Sequence, residues 1–191
     1  MAVIRTERGA MTKNKNEAIV SIAEKTVKKL AKEWKKNPYL WDSEADIHGE
    51  LYVRIKKALE KFETVKGCYK RYMNHDACFN RIYCKPLTYI EDGERYYPDI
   101  VIYEDATFDN NNEEKNEPML WVCEIKYKTQ WGGDQNEENR TYDKEKLQRL
   151  LRQRTNTKIY GTKYAYFLEL VRTKEKATSK YSRVTTKKGV K

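Results

Sequence analysis

The pattern of apolar and polar positions predicts two helices in the first third of the chain. Between residues 16 and 36, apolar residues recur at spacings of three and four with lysines opposite, and Asn37 and Pro38 end the pattern. A second stripe with the same spacing runs from residue 43 to about 63, with Asp42 or Ser43 as its N-cap. The polar residues 1 to 14 are expected to be mobile.

The rest of the chain predicts four strands and one helix. Strands are expected at residues 81 to 90, with Pro86 near an edge or bulge, and at 96 to 105, after a turn at Asp92 and Gly93. Residues 119 to 128 form the most apolar stretch and are expected to be a central strand. A helix at 142 to 154 and a last strand at 162 to 171 follow. The element order is helix, helix, three strands, helix, strand, as in an α/β fold.

Composition indicates one folded domain with extensions. Charged residues make up 36% of the 191 residues and aromatic residues 12%, so the chain is polar but has groups to fill a core. The net charge is +10, and the segment from Arg172 to Lys191 supplies +7 of it. Such a tail attracts polyanions or serves solubility. We therefore divide the chain into an N-terminal extension (1–42), a core domain (43–171) and a basic C-terminal tail (172–191).

Targeting signals and cysteine usage predict an intracellular, cytoplasmic protein. The sequence has no long apolar run and no secretory leader, so no membrane association is expected. The cysteines are then expected to be reduced thiols. Cys68, His75, Cys78 and Cys84 have the ligand types of a structural Zn²⁺ site, but no C-x2-C pair is present, and Cys84 can be buried as an ordinary apolar residue. The spacing therefore argues against zinc.

Two acids near the start of the second helix differ in direction. At about 100° per residue, Glu44 lies within about 20° of Leu51 on the apolar stripe, whereas Glu50 points about 100° away. A carboxylate on a buried stripe needs compensation by a metal, a lysine or the helix dipole, unless Glu44 is simply an exposed first-turn acid. Glu44 is thus the candidate acid of this helix, and Gly49 could change the answer by bending it.

Three charged residues mark the ends of two neighbouring strands. Asp99 opens one apolar run, and Glu124 and Lys126 close the next one on a shared face. Asp99 and Glu124 suit Mg²⁺, with the carbonyl of Ile125 as a further oxygen ligand and the Lys126 ammonium beside them to orient or activate a water. The E-x-K pattern also occurs at residues 33–35 and 113–115, so the pattern alone is weak evidence for a site. The interpretation rests on finding E-x-K at 124–126 in the strand that follows the one opened by the single Pro-Asp pair. A plain salt bridge of Glu124 with Lys126 is the alternative.

These motifs, YYPDIVI, LWVCEIKYK and an upstream helix beginning SEADIHGEL, resemble the PD-(D/E)xK nuclease superfamily over residues 43 to about 170. The resemblance implies a restriction-endonuclease-like core, with a central mixed β-sheet of about four strands flanked by helices and an extra N-terminal helix. It implies a DNA endonuclease that uses Mg²⁺, or Mn²⁺ as a substitute, with four catalytic residues, Glu44, Asp99, Glu124 and Lys126. Glu44 would reach the metal directly or through water, and Lys146 or Gln148 would contact DNA.

Two further readings remain open at the level of sequence. The chain could be a nucleic-acid-binding module on the same scaffold that does not cleave, or a subunit of a complex whose protein partner supplies specificity. Double-strand cleavage by one small site implies a homodimer.

Overall fold

The computed structural model describes residues 3–62, 64–66, 78–90, 93–104, 119–129, 132–133, 137–157 and 161–186. The helices are α1 (Val3–Lys36), α2 (Glu44–Ala58) and α3 (Glu137–Thr157), with a short 3-10 turn at Glu60–Phe62. The strands are β1 (Thr64–Lys66), β2 (Cys78–Asn80), β3 (Ile82–Cys84), β4 (Thr88–Tyr89), β5 (Arg95–Tyr96), β6 (Ile100–Tyr103), β7 (Met119–Thr129), β8 (Gly132–Gly133), β9 (Thr162–Arg172) and β10 (Ala177–Val184).

The central sheet is mixed and has the strand order β10-β9-β7-β6-β3, with β8 added at the end of β7. Strands β7 and β9 run parallel, joined by α3, and the other neighbours are antiparallel. The chain is therefore α/β with an N-terminal helix first, as predicted, and β7 is the central strand. Two small antiparallel pairs, β1 with β2 and β4 with β5, lie outside this sheet.

Helices cover both faces of the sheet. One face packs against α1 and α2 in a core that includes the apolar side of β7 at Trp121, Cys123 and Ile125. The other face packs against α3 through Leu147 and Leu150. Strand β7 is buried on both faces from Met119 to Ile125, so its apolar run reflects two covered faces rather than one.

The structure contains the predicted helices, but their first and last residues differ from the prediction. The stripe of α1, from Ile19 to Trp34, is buried as expected, but the helix begins at Val3, so the segment expected to be mobile belongs to it. Helix α2 begins with a capping box: Ser43 Oγ accepts from the Asp46 N–H, and the Ser43 N–H donates to the Asp46 carboxylate. It ends at Ala58, earlier than predicted.

Three strand predictions need correction. The run from 81 to 90 breaks into β3 and β4, because Lys85 has a φ of 49° and Pro86 has no N–H for the ladder. The run from 96 to 105 likewise divides into β5 and β6 around Pro98. The sheet has five strands along its path rather than four, since β10 lies within the segment predicted to be a tail.

In the part of the chain that the structure describes, no helix is both long and apolar enough to cross a lipid bilayer.

Candidate active site where strands β6 and β7 separate

The candidate site lies where β6 leaves β7. The pairing of β6 with β7 begins at Ile100, which lies opposite Cys123. Beyond Cys123, β7 continues to Thr129 with β9 paired along its other edge. The edge that β6 leaves is open until β8 pairs with the end of β7. Two acidic side chains accept hydrogen bonds from β7 backbone N–H groups that a paired strand would otherwise use. The Ile125 N–H donates to Asp99 Oδ2 at 2.7 Å, and the Tyr127 N–H donates to Glu44 Oε2 at 3.1 Å. Carboxylates thus replace a strand neighbour at two successive open N–H groups.

Pro98 explains why the ladder stops at this point. Proline has no N–H to donate, so pairing does not continue before Ile100, and the next side chain, Asp99, turns toward β7 instead. Asp99 is 4% exposed, and its backbone carbonyl accepts from the Lys85 N–H at 3.0 Å. The Lys85 Nζ lies 3.7 Å from Asp99 Oδ1. Asp99 is therefore fixed through both its backbone and its side chain.

Glu124 and Lys126 lie on the face of β7 covered by α3. They share this face because side chains along a strand alternate between its two faces. Lys126 Nζ is 3.4 Å from Glu124 Oε1 and 2.7 Å from Asp143 Oδ2 in the second turn of α3. On its other side Glu124 Oε2 accepts a 2.8 Å hydrogen bond from the Tyr96 hydroxyl. The ion pair is buried rather than superficial, because the side-chain exposures of Glu124 and Lys126 are 6% and 16%.

Burial, and then repulsion from Asp99, raise the pKa of Glu124 to about 8, against the opposing effects of Lys126 and Tyr96. Lys126 responds differently. Burial lowers its pKa, but the hydrogen bond to Asp143 and the charge of Glu124 outweigh burial, and its pKa ends well above the usual lysine value. The site thus pairs a carboxyl group that resists ionisation with an ammonium that resists deprotonation.

This raised pKa predicts the pH dependence of stability without metal. Between about pH 4.5 and pH 8 the unfolded chain has released the Glu124 proton while the folded protein retains it, so stability falls as the pH rises and levels off above about 8. We expect a loss of a few kcal/mol over this window in EDTA, measured by urea unfolding. Glu124→Gln should flatten that part of the profile. Parallel wild-type and variant profiles would contradict the prediction.

Helix α2 turns Glu44 toward the strands and Glu50 away from them. Glu50 receives a 2.6 Å hydrogen bond from Arg54 Nε, while Glu44 reaches Tyr127 as described above. The helix continues through Gly49 without interruption, so the directions derived from helical geometry apply. Glu44 is 34% exposed at its side chain and lies at the mouth of the site.

His48 is a site residue that the sequence did not single out. It is 4% exposed, and its Nε2 lies 3.4 Å from Asp99 Oδ2 and 3.8 Å from Glu44 Oε1. The signal was present, because His48 follows Glu44 by four residues and belongs to the buried stripe with Leu51 and Ile55. Tyr96 and Asp143 were missed as well, since each reaches the site from another element.

The two residues predicted to contact DNA lie on α3. Lys146 Nζ stands 4.1 Å from the ring centre of Tyr142 and 5.3 Å from that of Tyr96, and 3.8 Å from Glu94 Oε1. Lys146 therefore ties the β5 segment to α3, and its side chain is only 15% exposed. Gln148 is half-buried on the same helix.

The cysteine and histidine set considered for zinc is described only in part. Cys68 and His75 lie outside the described residues, and Cys78 belongs to β2. Cys84 is exposed at the end of β3, so the expectation that it is buried as an apolar residue is wrong.

The donors at the site suit a hard divalent cation. Within the described ranges no three Asp, Glu, His or Cys side chains form a ready metal-ligand group. Mg²⁺ does not require one, since it commonly uses one or two carboxylates with waters and a substrate phosphate. Asp99 and Glu124 are the candidate carboxylates. The Ile125 carbonyl faces the same opening as its N–H, because both groups of a strand residue point to one neighbour. Nε2 of His48 lies 3.4 Å from Asp99 Oδ2 but makes no aligned hydrogen bond among the described residues.

No family model, curated protein or solved structure matches this chain at a significant level.

Proposed function

We propose that the protein is a metal-dependent nuclease that hydrolyses phosphodiester bonds in DNA. The observation that carries the proposal is the meeting of Asp99, Glu124, Lys126 and Glu44 at the point where β6 separates from β7. Four residues from three separate segments converge there, and the three acids among them supply oxygen ligands of the kind that Mg²⁺ prefers.

Asp99 and Glu124 would hold Mg²⁺ or Mn²⁺ together with the Ile125 carbonyl, and Glu44 would reach the ion directly or through a water. When bound, the ion would neutralise a substrate phosphate and lower the pKa of a coordinated water. The chain supplies orientation around this chemistry. The Tyr96 hydroxyl holds one oxygen of Glu124, so the other oxygen, Oε1, remains on the side of Lys126.

The geometry favours an orienting role for Lys126 over a role as general base. Its raised pKa keeps the ammonium charged at neutral pH, so Lys126 would donate hydrogen bonds to the attacking water and to the developing phosphorane charge. Asp143 fixes the ammonium at 2.7 Å and limits its movement. Removal of a proton from the water then falls to a carboxylate or to bulk solvent.

The charge of the chain supports a polyanionic substrate. A net charge of +10 favours association with nucleic acid through counterion release. A homodimer would supply a second site for cutting the opposite strand, and a protein partner could supply specificity. Both partners remain proposals that follow from the nuclease hypothesis.

The test is cleavage of labelled duplex, branched and single-stranded DNA in Mg²⁺ or Mn²⁺, with Glu44→Gln and Glu50→Gln as a matched acid pair. We expect cleavage that EDTA abolishes, and a loss of about tenfold or more in Glu44→Gln, because the amide can still accept from Tyr127 but lacks the charge. Glu50→Gln should retain wild-type activity, since Glu50 pairs with Arg54 away from the site.

Absence of cleavage on all of these substrates and on RNA would overturn the nuclease proposal. Salt-dependent DNA binding without any cleavage would instead favour a binding module on this fold.

A further inference from the structure

A basic cavity lies at the end of the sheet opposite the acidic site. It has a volume of about 510 Å³ and forms where the last turns of α3 meet the start of β9 and the end of β10. Leu151 and Val184 form apolar walls. The polar residues that line it are all cations or hydroxyl groups, namely Arg154, Lys163, Arg183, Thr162, Thr185 and Thr186.

A buried carboxylate orders two of these cations without neutralising the cavity. Glu104, 7% exposed at the end of β6, accepts from Arg154 on one oxygen and from Lys163 on the other, and Asn16 Nδ2 donates to it at 3.4 Å. Arg183 contributes a third positive charge. Among the described residues, this one carboxylate and these three cations together carry a net charge of +2, and their contacts hold them in place before any ligand arrives.

The lining identifies the chemistry of the ligand. Guanidinium and ammonium groups around one space recognise phosphate oxygens, and the apolar walls favour a phosphate ester over a bare ion. The Thr162 hydroxyl is already used, since it donates to the Tyr164 carbonyl. Arg183 stacks 4.8 Å above the ring centre of Tyr164, which restrains its guanidinium. The volume lies in the range of about 300–1,000 Å³ typical of sites for small groups.

Two measures place the cavity about 16 Å from the acidic site along the direction of the strands. On β9, Thr162 and Phe167 are five residues apart, and Phe167 is the neighbour of Glu124, which at about 3.3 Å per residue gives roughly 16 Å. On α3, Arg154 follows Asp143 by eleven residues, which at about 1.5 Å per residue gives roughly the same length. Measured along the axis of a duplex, this separation corresponds to about five base-pair steps of 3.4 Å.

We propose that this cavity binds a phosphate of a nucleic-acid strand at a distance from the acidic site. The choice of a nucleic acid among phosphate esters rests on the proposed function, whereas recognition of phosphate rests on the cavity itself. A contact at this distance would fix the direction and register of the strand without taking part in the chemistry.

The test measures binding of a fluorescent DNA oligonucleotide in EDTA, where no metal-dependent cleavage occurs, for wild type, Lys163→Gln and Arg183→Gln. Lys180→Gln is the matched control, since Lys180 is exposed on β10 and lies outside the cavity lining. We expect each cavity variant to weaken binding about three- to tenfold, and to make the slope of log K against log salt shallower by about 0.7–0.9. Lys180→Gln should change affinity by less than about twofold. A thermal melt of each variant checks folding.

Cavity variants that bind like wild type, or like the Lys180 control, would overturn the proposal. Inorganic phosphate, titrated at constant ionic strength, separates the sources of the phosphate. If phosphate stabilises wild type but not Arg183→Gln, while oligonucleotide binding is equal in the two, the assignment to a nucleic-acid strand is wrong. Binding in EDTA is independent of turnover, so a protein that never cleaves DNA can still satisfy this proposal, and an active nuclease can still fail it.

Discussion

Lys126→Gln is expected to lower metal-dependent cleavage by about a hundred- to a thousandfold. The amide is one atom shorter but keeps an N–H donor on the side of Asp143, and it removes the charge that lies 3.4 Å from Glu124. Glu124→Gln should reduce cleavage at least as far. Initial rates at saturating Mg²⁺ measure both effects.

Measurements of metal binding distinguish the role of Glu124 as a metal ligand from that of Lys126 as an orienting group. Glu124→Gln should weaken Mn²⁺ binding, followed by calorimetry, because it removes a ligand. Lys126→Gln should leave that binding unchanged or strengthen it, because it removes a neighbouring positive charge. Lys128→Gln is the matched control, since Lys128 is half-buried on the same face of β7 and loses the same charge. A loss of cleavage in Lys128→Gln equal to that in Lys126→Gln would show that general charge, rather than an orienting lysine, explains the effect.

Helical and strand periodicity predicted which side chains of a single helix or strand point toward the site. Glu124 and Lys126 share a face because side chains on a strand alternate, and Glu44 faces inward while Glu50 does not because each helical residue turns by about 100°. The central position of β7 followed from its unbroken apolar run. These properties are local, and a single sequence contains them.

Contacts between distant segments were not predictable in the same way. Tyr96 reaches Glu124 across 28 positions, and its role depends on how the β4–β5 hairpin packs against α3. His48 was hidden because a lone histidine on an apolar stripe fits an ordinary core equally well. Strand β10 was missed because its inward residues are mostly small or polar, and Tyr181 is the one large aromatic side chain among them. Its sequence therefore lacks the alternation of apolar and polar residues that predicts a strand.

The structure also changes the meaning of the basic charge near the C-terminus. Residues 177 to 184 pair with β9 along eight positions, so the charges at Lys180 and Arg183 belong to a folded edge strand. Lysines at an exposed sheet edge discourage pairing with other chains, which is one structural use for Lys180. Arg183 has a different environment, over Tyr164 and beside the cavity. The position of a basic residue on β10, rather than the total charge, therefore decides whether it can contact a ligand or only discourages pairing with other chains.

Gly161→Ala is expected to destabilise the protein by about 3 kcal/mol or more, which corresponds to a fall of roughly 6–12 °C in Tm for a chain of this size. Gly161 has a φ of +82°, which side chains other than glycine rarely adopt, and it leads directly into β9. A Cβ there would overlap the backbone carbonyl of Leu150 and lie 2.7 Å from the backbone nitrogen of Arg154. Both atoms belong to the backbone of α3, so the helix itself has to move.

Two other glycines provide controls that separate backbone conformation from steric overlap. Gly93 has a φ of +75° but open space around it, so Gly93→Ala should cost only about 1 kcal/mol. Gly49 lies within α2 with open space, and Gly49→Ala should stabilise the protein by about 0.5–1 kcal/mol. Urea or thermal unfolding of the three variants gives the comparison. If Gly161→Ala costs no more than Gly93→Ala, the close approach of α3 to the start of β9 is wrong, and with it the geometry of the basic cavity that these two elements enclose.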